Sequence, residues 1–276
     1  MSLGLRERFK YLAWAATHRT DNRCPGCGSP ETAQLRRKYA VTALRECSGC
    51  GLRFRSPKGN AKQSEALYQQ AYTQGFMTDC PTDEQLARLT MNGFRGTEMD
   101  FSSYIDLLRS VGLKSGDSIL DFGCSWGYGS WQLSRAGFRV YSCEVSKPRA
   151  EYAKTKLGCE LSSAAELPRK VKCLFSAHVI EHLDAPDLIW ETARSVLSPD
   201  GFIACFCPNG NPELESTYGL HRYDQLWGKV HPLLITPRFL ETTSSRHGFT
   251  ARLQTSPYGL VRDLHGGELC MIAYSS

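Results

Sequence analysis

Long apolar runs are missing from this chain of 276 residues. No stretch approaches the roughly 18 consecutive apolar residues that a membrane-spanning helix requires. The opening residues 1–8 also lack the uninterrupted apolar core of a secretory signal. Of the 12 cysteines only four repeat a spacing, which is not the pattern of a disulfide framework. We therefore expect a protein without a membrane span that resides in the reducing cytoplasm.

Charge is distributed unevenly along the chain. Residues 1–60 carry 12 Lys/Arg and 4 Asp/Glu, a net charge of +8, whereas residues 61–276 come to −3. A basic N-terminal segment can contact nucleic acid or a nucleotide-linked substrate, or it can simply be solvated. Solvation is the commonest explanation for scattered charges of this kind.

Four cysteines near the front have the spacing of a metal site. Two residues separate Cys24 from Cys27 and also Cys47 from Cys50, a glycine follows each pair, and 19 residues lie between the pairs. Two such knuckles suit tetrahedral Zn²⁺, and the intervening segment from Thr32 to Leu44 has the pattern of two strands. We predict a zinc ribbon that needs its metal to fold. A redox pair is the alternative, but this stretch does not resemble a thioredoxin-like unit.

The composition shifts divide the chain into three parts. Residues 1–58 are predicted to hold an N-terminal helix, at residues 3–18, and the ribbon. Residues 59–100 form a connector with a short helix at 66–72. Residues 101–276 form the main domain.

Strand-like and helix-like segments alternate through the main domain, which is typical of a doubly wound, mostly parallel sheet. Strands are expected at 118–122, 139–144, 159–162, 173–177 and 202–207. Helices are expected at 101–111, up to about 135, at 147–157, 186–196 and 236–246. The last two apolar runs, 250–255 and 268–274, have no helix between them and are predicted to pair antiparallel.

The rest of the chain is organised around the stretch from Ser118 to Gly129, which contains Gly123, Gly127 and Gly129. Here a short apolar run ends in a glycine-rich turn that leads into a helical pattern. Glycine permits positive φ values and the close approach of a ligand, and the first turn of a helix offers free N–H groups. The next strand ends in Glu144, whose carboxylate can accept hydrogen bonds from both hydroxyls of a ribose. These features predict a nucleotide-like ligand; an ordinary strand-to-helix turn is the alternative.

This stretch resembles the class I S-adenosylmethionine-dependent methyltransferases. Asp121-x-Gly123-x-x-x-Gly127, followed by Glu144 about twenty residues later, is similar to their pattern. The Gly-x-Gly-x-x-Gly spacing of a dinucleotide-binding fold is absent. Ser125 stands where the methyltransferase loop usually carries a middle glycine.

Together with the ribbon, the resemblance is to bacterial methyltransferases with a zinc ribbon in front of a class I domain, and it covers residues 24–55 and 105–274. It implies an α/β fold: a Rossmann-like, doubly wound seven-stranded sheet with an N-terminal zinc ribbon. It also implies S-adenosylmethionine as cofactor and Zn²⁺ as a structural ion held by Cys24, Cys27, Cys47 and Cys50.

The resemblance assigns the residues that hold S-adenosylmethionine. In such sheets, ligands bind at the carboxyl ends of the strands where the strand order reverses. The glycine loop is expected to contact the methionine part of the cofactor, Glu144 the ribose, and residues 165–167 the adenine edge. The full set of expected cofactor-binding residues is Asp121, Gly123, Cys124, Ser125, Gly127, Glu144, Val145, Ala165, Glu166, Ala177 and His178.

A second motif, His178-Val-Ile-Glu181-His182, follows a predicted strand. His-x-x-Glu-His is the spacing of one metalloprotease class, where both histidines bind zinc from a helix. Here the motif precedes a loop instead, and it resembles the Glu-His-Leu segment of many small-molecule methyltransferases. Some related enzymes use Glu-x-x-Glu-His as divalent metal ligands. This chain has histidine at the first position, which leaves a second metal open.

The cofactor's sulfonium already activates the methyl group, so the enzyme mainly aligns the acceptor and removes its proton. The residues expected to take part are His178, Glu181, His182 and His231, and for each histidine a purely structural role is the alternative. The absence of Asn-Pro-Pro-Tyr or Asp-Pro-Pro-Tyr after the fourth strand argues against nucleobase amino methylation. The absence of a Pro-Cys pair there argues against C5-pyrimidine chemistry.

The resemblance implies methyl transfer to O, N or C of a small molecule, such as a sugar or a secondary metabolite. One alternative is an RNA methyltransferase that holds RNA with the basic ribbon. The other is a non-catalytic binding module in which the ribbon acts as an adaptor. The sequence predicts no oligomeric state.

Overall fold

The computed structural model describes residues 13–17, 22–38, 41–59, 79–228, 231–255 and 267–276. The predicted helix at 66–72 and most of the predicted N-terminal helix lie outside these residues. Residues 13–17 are helical, and Ala15 is buried there. Within the described part of the chain, no helix has the length and apolar character needed to cross a membrane.

The strands of the described residues form two sheets. Their bounds are β1 (Thr32–Lys38), β2 (Thr42–Cys47), β3 (Arg53–Ser56), β4 (Ser118–Phe122), β5 (Arg139–Cys143), β6 (Glu160–Leu161), β7 (Val171–Ala177), β8 (Leu197–Pro208), β9 (Leu233–Leu234), β10 (Phe249–Thr255) and β11 (Glu268–Ser275). The larger sheet has seven strands in the order β10-β11-β8-β7-β4-β5-β6, and the smaller has four in the order β1-β2-β3-β9.

Helices connect these strands. Their bounds are α1 (Asp83–Met91), α2 (Ser102–Ser110), α3 (Tyr128–Arg135), α4 (Lys147–Leu157), α5 (Leu188–Val196), α6 (Glu213–Tyr218), α7 (Leu220–Gln225) and α8 (Pro237–Arg246). Helices α1, α6 and α7 were not predicted. Helix α1 begins at a capping box, in which Thr82 and Gln85 satisfy each other's backbone N–H groups.

The seven-stranded sheet confirms the predicted doubly wound fold. Strands β4, β5, β6, β7 and β8 pair in parallel. Strand β11 pairs antiparallel with β8 and with β10, as predicted for the last two apolar runs. The strand order reverses between the neighbours β4 and β7, so the crevice that binds ligands in such sheets opens at their carboxyl ends.

The small sheet joins the ribbon to the rest of the chain. The predicted β1–β2 pair is present, but β3 and β9 were missed. Strand β9 comes from the far end of the chain and pairs with β3, with Phe54 opposite Leu233. Phe54 belongs to the same buried cluster as Phe239 and Leu240 of α8. The ribbon therefore shares its core with the seven-stranded sheet.

Candidate functional site

The four predicted zinc ligands converge in the ribbon. The Sγ atoms of Cys24 and Cys50 lie 3.5 Å apart, as do those of Cys27 and Cys47, and all four lie within 4.8 Å of one another. A tetrahedral Zn²⁺ with bonds of about 2.3 Å separates its sulfur ligands by about 3.8 Å. The four cysteines therefore fit a structural zinc ion.

The glycine loop after β4 has the conformation that a close ligand requires. Gly123 and Gly127 have φ values of 87° and 91°, in the left-handed region that favours glycine. Ser125 also lies in this region, with φ of 53°. It therefore adopts a conformation that glycine takes more readily than serine. The expectation that Gly129 takes a positive φ is wrong, because it lies inside α3 and faces the ring of Phe101.

Asp121, the penultimate residue of β4, is buried beneath this loop. It accepts a 2.6 Å hydrogen bond from Ser130 Oγ, which in turn accepts one from Ser142 Oγ at 2.8 Å. Burial is the main cause that raises the pKa of Asp121 to about 7, and the negative charge of Glu144 adds to it. Cys124, next to the loop, is also buried, and burial raises the pKa of its thiol.

Glu144 follows β5 and lies against the loop. Its Oε2 accepts a hydrogen bond from Ser125 N at 2.9 Å and its Oε1 accepts one from Ser146 N at 2.7 Å. The neighbouring Val145 is 67 % exposed. Ala165 and Glu166 lie in a 3₁₀ turn after β6, where Glu166 Oε2 accepts a hydrogen bond from Ser163 Oγ. The predicted cofactor residues thus lie at or just after the carboxyl ends of β4, β5 and β6, at one edge of the sheet.

Ala177 ends β7, and His178 follows it with a left-handed φ of 55°. The Nε2 atom of His178 lies 2.7 Å from Glu268 Oε1. Tyr104, on α2, donates a 2.6 Å hydrogen bond to the same carboxylate oxygen. Glu268 begins β11 opposite Pro208 at the end of β8, which brings it to the same edge as His178.

Glu181 and His182 lie in a 3₁₀ turn just after β7, and His231 lies just before β9. The rings of His182 and His231 are 4.7 Å apart between centroids, and His182 Nε2 lies 3.8 Å from Glu181 Oε1. One ligand atom from each of the three residues lies within 4.8 Å of the others. Both carboxylate oxygens of Glu181 are buried and accept no hydrogen bond from the described residues.

The ionisable side chains after β7 and before β9 shift one another's pKa values. Burial opposes a charged imidazole, but Glu181 and Glu268 outweigh it and raise the pKa of His178 to about 10. Burial likewise opposes the anion of Glu181, yet His178 and then His182 lower its pKa to about 2. For His231, burial first and the charge of His182 second lower the pKa to about 4. At neutral pH this arrangement combines a cationic His178, an anionic Glu181 and a neutral His231.

Three polar residues of this region were not expected from the sequence: Tyr104, Ser130 and Glu268. The only signal for Glu268 is that a carboxylate begins an otherwise apolar strand. Nothing in the sequence links Tyr104 to it, because the two are 164 positions apart. A surface groove of about 480 Å³ lies elsewhere, beside Cys80 and Arg88 of the α1 region, and no predicted site residue lines it.

Comparison with known protein families finds a match to a methyltransferase domain. Residues 120–205 match the family described as "Methyltransferase domain"; they run from β4 into β8 and include the glycine loop, Glu144 and the segment from His178 to His182. No curated protein matches the chain.

Two solved structures share the fold. Magnesium protoporphyrin IX methyltransferase from Synechocystis PCC 6803, with bound SAH, has a TM-score of 0.50 at 15 % identity, over 72 % of this chain and 90 % of that chain. The glycopeptide N-methyltransferase MtfA, complexed with S-adenosyl-L-methionine, has a TM-score of 0.50 at 12 % identity, over 64 % of this chain and 95 % of that chain. At such identities the likeness establishes the fold alone.

Proposed function

The chain carries a class I, S-adenosylmethionine-dependent methyltransferase domain, and from that premise we propose that it methylates an O, N or C atom of a small molecule. The observation that carries the proposal is the position of the glycine loop and Glu144 at the edge where the strand order reverses. The proposed acceptors are sugars and secondary metabolites.

The contacts of Glu144 support its proposed role at the ribose. Each of its oxygens accepts one backbone hydrogen bond, and each carboxylate oxygen has a second lone pair. The backbone therefore fixes the carboxylate and leaves it able to accept from the two ribose hydroxyls. In the same proposal the left-handed loop from Gly123 to Gly127 approaches the methionine part, and Val145, Ala165 and Glu166 lie towards the adenine.

The acceptor is proposed to bind beside His178, Glu181, His182 and His231. These residues follow β7 and precede β9, next to the proposed cofactor loop: a Cβ atom on Gly123 would lie 2.4 Å from Val179 Cγ2. Such proximity would allow a bound acceptor to lie in line with the activated methyl group. The catalytic roles of these four residues stay predictions.

The ribbon's contacts favour a small molecule over RNA. Arg36 forms ion pairs with Glu215 and Asp224. Lys38 donates to the carbonyl of Trp227 and lies over its ring. The buried Arg53 pairs with Glu46. RNA binding depends on cations that reach phosphates, whereas these three are already engaged inside the protein.

The test is calorimetry of the zinc-loaded protein with S-adenosylmethionine, followed by an assay of S-adenosylhomocysteine release with sugars, phenols and RNA. We expect cofactor binding and turnover with a small molecule. Binding without turnover on any acceptor class would favour the adaptor, and no binding at millimolar cofactor would contradict the domain's proposed chemistry. Turnover confined to RNA, with a steep dependence on salt, would favour the RNA methyltransferase.

The cytoplasm is the proposed compartment. Thiolate ligands require a reducing environment, and none of the 12 cysteines forms a disulfide. Fractionation of cells that express the chain would test this, and recovery of an oxidised, zinc-free protein from an extracytoplasmic fraction would contradict it.

A further inference from the structure

Glu181, in the turn after β7, is a buried carboxylate whose charged neighbour His178 lies closer to a second carboxylate, Glu268. Its side chain is 2 % exposed, and neither carboxylate oxygen accepts a hydrogen bond from the described residues. The nearest basic atoms, His178 Nδ1 and His182 Nε2, lie 3.6 and 3.8 Å from Oε1, which is longer than a hydrogen bond. A buried carboxylate normally accepts hydrogen bonds on its oxygens, because its desolvation is otherwise costly.

Two imidazoles complete a ligand set around this carboxylate. His182 comes from the same 3₁₀ turn, whereas His231 comes from the segment that leads into β9. Their ligand atoms and one of the Glu181 oxygens all lie within 4.8 Å of one another. Both histidines are partly exposed, so solvent can reach the cluster.

We propose that Glu181, His182 and His231 bind one divalent transition-metal ion, distinct from the zinc of the ribbon. Two imidazoles and one carboxylate are ligands that suit Zn²⁺, Fe²⁺ or Mn²⁺ better than Ca²⁺, which prefers oxygen ligands alone. Ligand atoms of a tetrahedral site with bonds of about 2.0 Å are about 3.3 Å apart. The present spacing of the three atoms, up to 4.8 Å, would have to shorten by up to about 1.5 Å to reach that distance.

His178 is not a ligand in this proposal, although the His178-x-x-Glu181-His182 spacing includes it. Its Nε2 atom pairs with Glu268 at 2.7 Å, and Tyr104 holds that carboxylate in place. The site would therefore have three protein ligands and at least one open position. If the proposed methyl transfer is also correct, an oxygen of the acceptor can take that position, and this consequence alone rests on the proposed function.

The experiment counts metal ions on the protein by itself, without cofactor or acceptor. The full chain is prepared with zinc in the ribbon, and Mn²⁺, which prefers nitrogen and oxygen to thiolate ligands, is titrated while free Mn²⁺ is followed by electron paramagnetic resonance. We expect one Mn²⁺ per chain. His231→Ala and His182→Ala should each weaken binding by more than the roughly 10- to 100-fold that loss of an outer-shell partner costs.

His247→Gln is the matched control. His247 is also paired with a carboxylate, Asp187 at 3.1 Å, but it follows the C-terminus of α8 and is not one of the three proposed ligands, and its variant should bind Mn²⁺ like the wild type. Circular dichroism and the zinc content of each variant verify the fold. No uptake beyond the ribbon zinc in the wild type, or uptake that survives in both His231→Ala and His182→Ala, would overturn the proposal. Either result leaves cofactor binding to be judged by its own calorimetry.

Discussion

The two halves of the carboxyl edge are built differently. In the half proposed to bind the cofactor, after β4 and β5, neutral donors hold the carboxylates: Ser130 Oγ donates to Asp121, and two backbone N–H groups donate to Glu144. In the half proposed to bind the acceptor, after β7, carboxylates face imidazoles: Glu268 pairs with His178, and Glu181 lies between histidines without a hydrogen bond from the described residues. The backbone thus shapes the first half, whereas the second depends on side chains from separate segments.

The largest expected effect comes from a variant of the ribbon, which should abolish methyl transfer but leave cofactor affinity nearly unchanged. The ribbon supplies β3, which pairs with β9, and Arg55 N donates to Pro232 O at 2.8 Å, next to His231. Cys47→Ser removes a zinc ligand, so we expect loss of the ion and unfolding of the ribbon, since a unit this small depends on its metal. Methyl transfer should be abolished, while affinity for S-adenosylmethionine stays within about 3-fold, or about 0.6 kcal/mol. Metal analysis, activity and calorimetry on one preparation measure all three.

Cys80→Ser is the control for this variant, because Cys80 is exposed and lies outside the ribbon. It should keep zinc, activity and cofactor affinity. Phe54 shares its core with α8, so the loss of zinc also tests how far the ribbon supports the large sheet. If Cys47→Ser loses cofactor binding together with activity, the ribbon holds both halves and the comparison fails.

The second prediction concerns Asp121 and pH. Its pKa is raised to about 7 in the folded protein, from 3.8, so between about pH 4 and 7 the folded state binds more protons than the unfolded state. Ionisation of the buried carboxyl therefore lowers the free energy of unfolding as the pH rises from about 4 to 7. The loss amounts to about 4 kcal/mol. Asp121→Asn should therefore flatten this part of the pH profile, as measured by urea unfolding at several pH values.

Asp106→Asn is the control for the pH profile. Asp106 is an exposed aspartate on α2, and its variant should keep the slope of the wild type. An unchanged slope in Asp121→Asn would mean that the buried carboxyl is ionised throughout, and that the serine pair Ser130 and Ser142 stabilises the anion more than burial opposes it.

The third prediction tests the ribose role. Glu144→Ala should reduce affinity for S-adenosylmethionine about 100-fold, or about 2.7 kcal/mol, because it removes the acceptor for two hydroxyls and frees the N–H groups of Ser125 and Ser146. The fold should remain intact. Glu151→Ala, which removes an exposed carboxylate on α4 that has no proposed role, should change affinity by less than about 3-fold, or about 0.6 kcal/mol. Calorimetry that shows wild-type affinity for Glu144→Ala would refute the assignment.

What the sequence could predict follows the same division. The glycine loop, Glu144 and the two cysteine knuckles are local patterns, since a few neighbouring residues determine each. In the structure the loop is left-handed at Gly123 and Gly127, Glu144 contacts it and the four thiols converge, while the roles assigned to these residues stay predictions. The contact between Tyr104 and Glu268 spans 164 positions, and β9 is only two residues long. No periodicity can reveal such features, because tertiary packing alone creates them.

Ser125 shows an intermediate case. The sequence identified it as a departure from glycine, but it did not reveal that serine would keep the left-handed conformation. The backbone of the loop determines that φ, since Gly123 N and Cys124 N both bond to Cys143 O and Ser125 N bonds to Glu144. Residue identity at this position is thus less informative than the hydrogen bonds on either side of it.

The smallest expected effect compares the two left-handed residues, one in each half: Ser125 at φ 53° and His178 at φ 55°. Glycine removes the steric cost of this conformation, about 1 kcal/mol, although it adds entropy to the unfolded chain. Ser125 Oγ is also buried and has no hydrogen-bond partner among the described residues. Ser125→Gly should therefore stabilise the protein by at most about 1 kcal/mol and leave cofactor affinity within about 2-fold, or about 0.4 kcal/mol.

His178→Gly relieves the same backbone but removes the imidazole that pairs with the buried Glu268 and faces Glu181, so it should lower both methyl transfer and stability. Thermal unfolding and S-adenosylhomocysteine release on both variants measure the contrast. Equal losses of activity in the two would show that strain itself, and not the side chain, serves the reaction. The other outcome is a gain of stability in Ser125→Gly and a loss of activity only in His178→Gly. It would show that the loop at Ser125 tolerates glycine because its backbone, and not a side chain, contacts the cofactor.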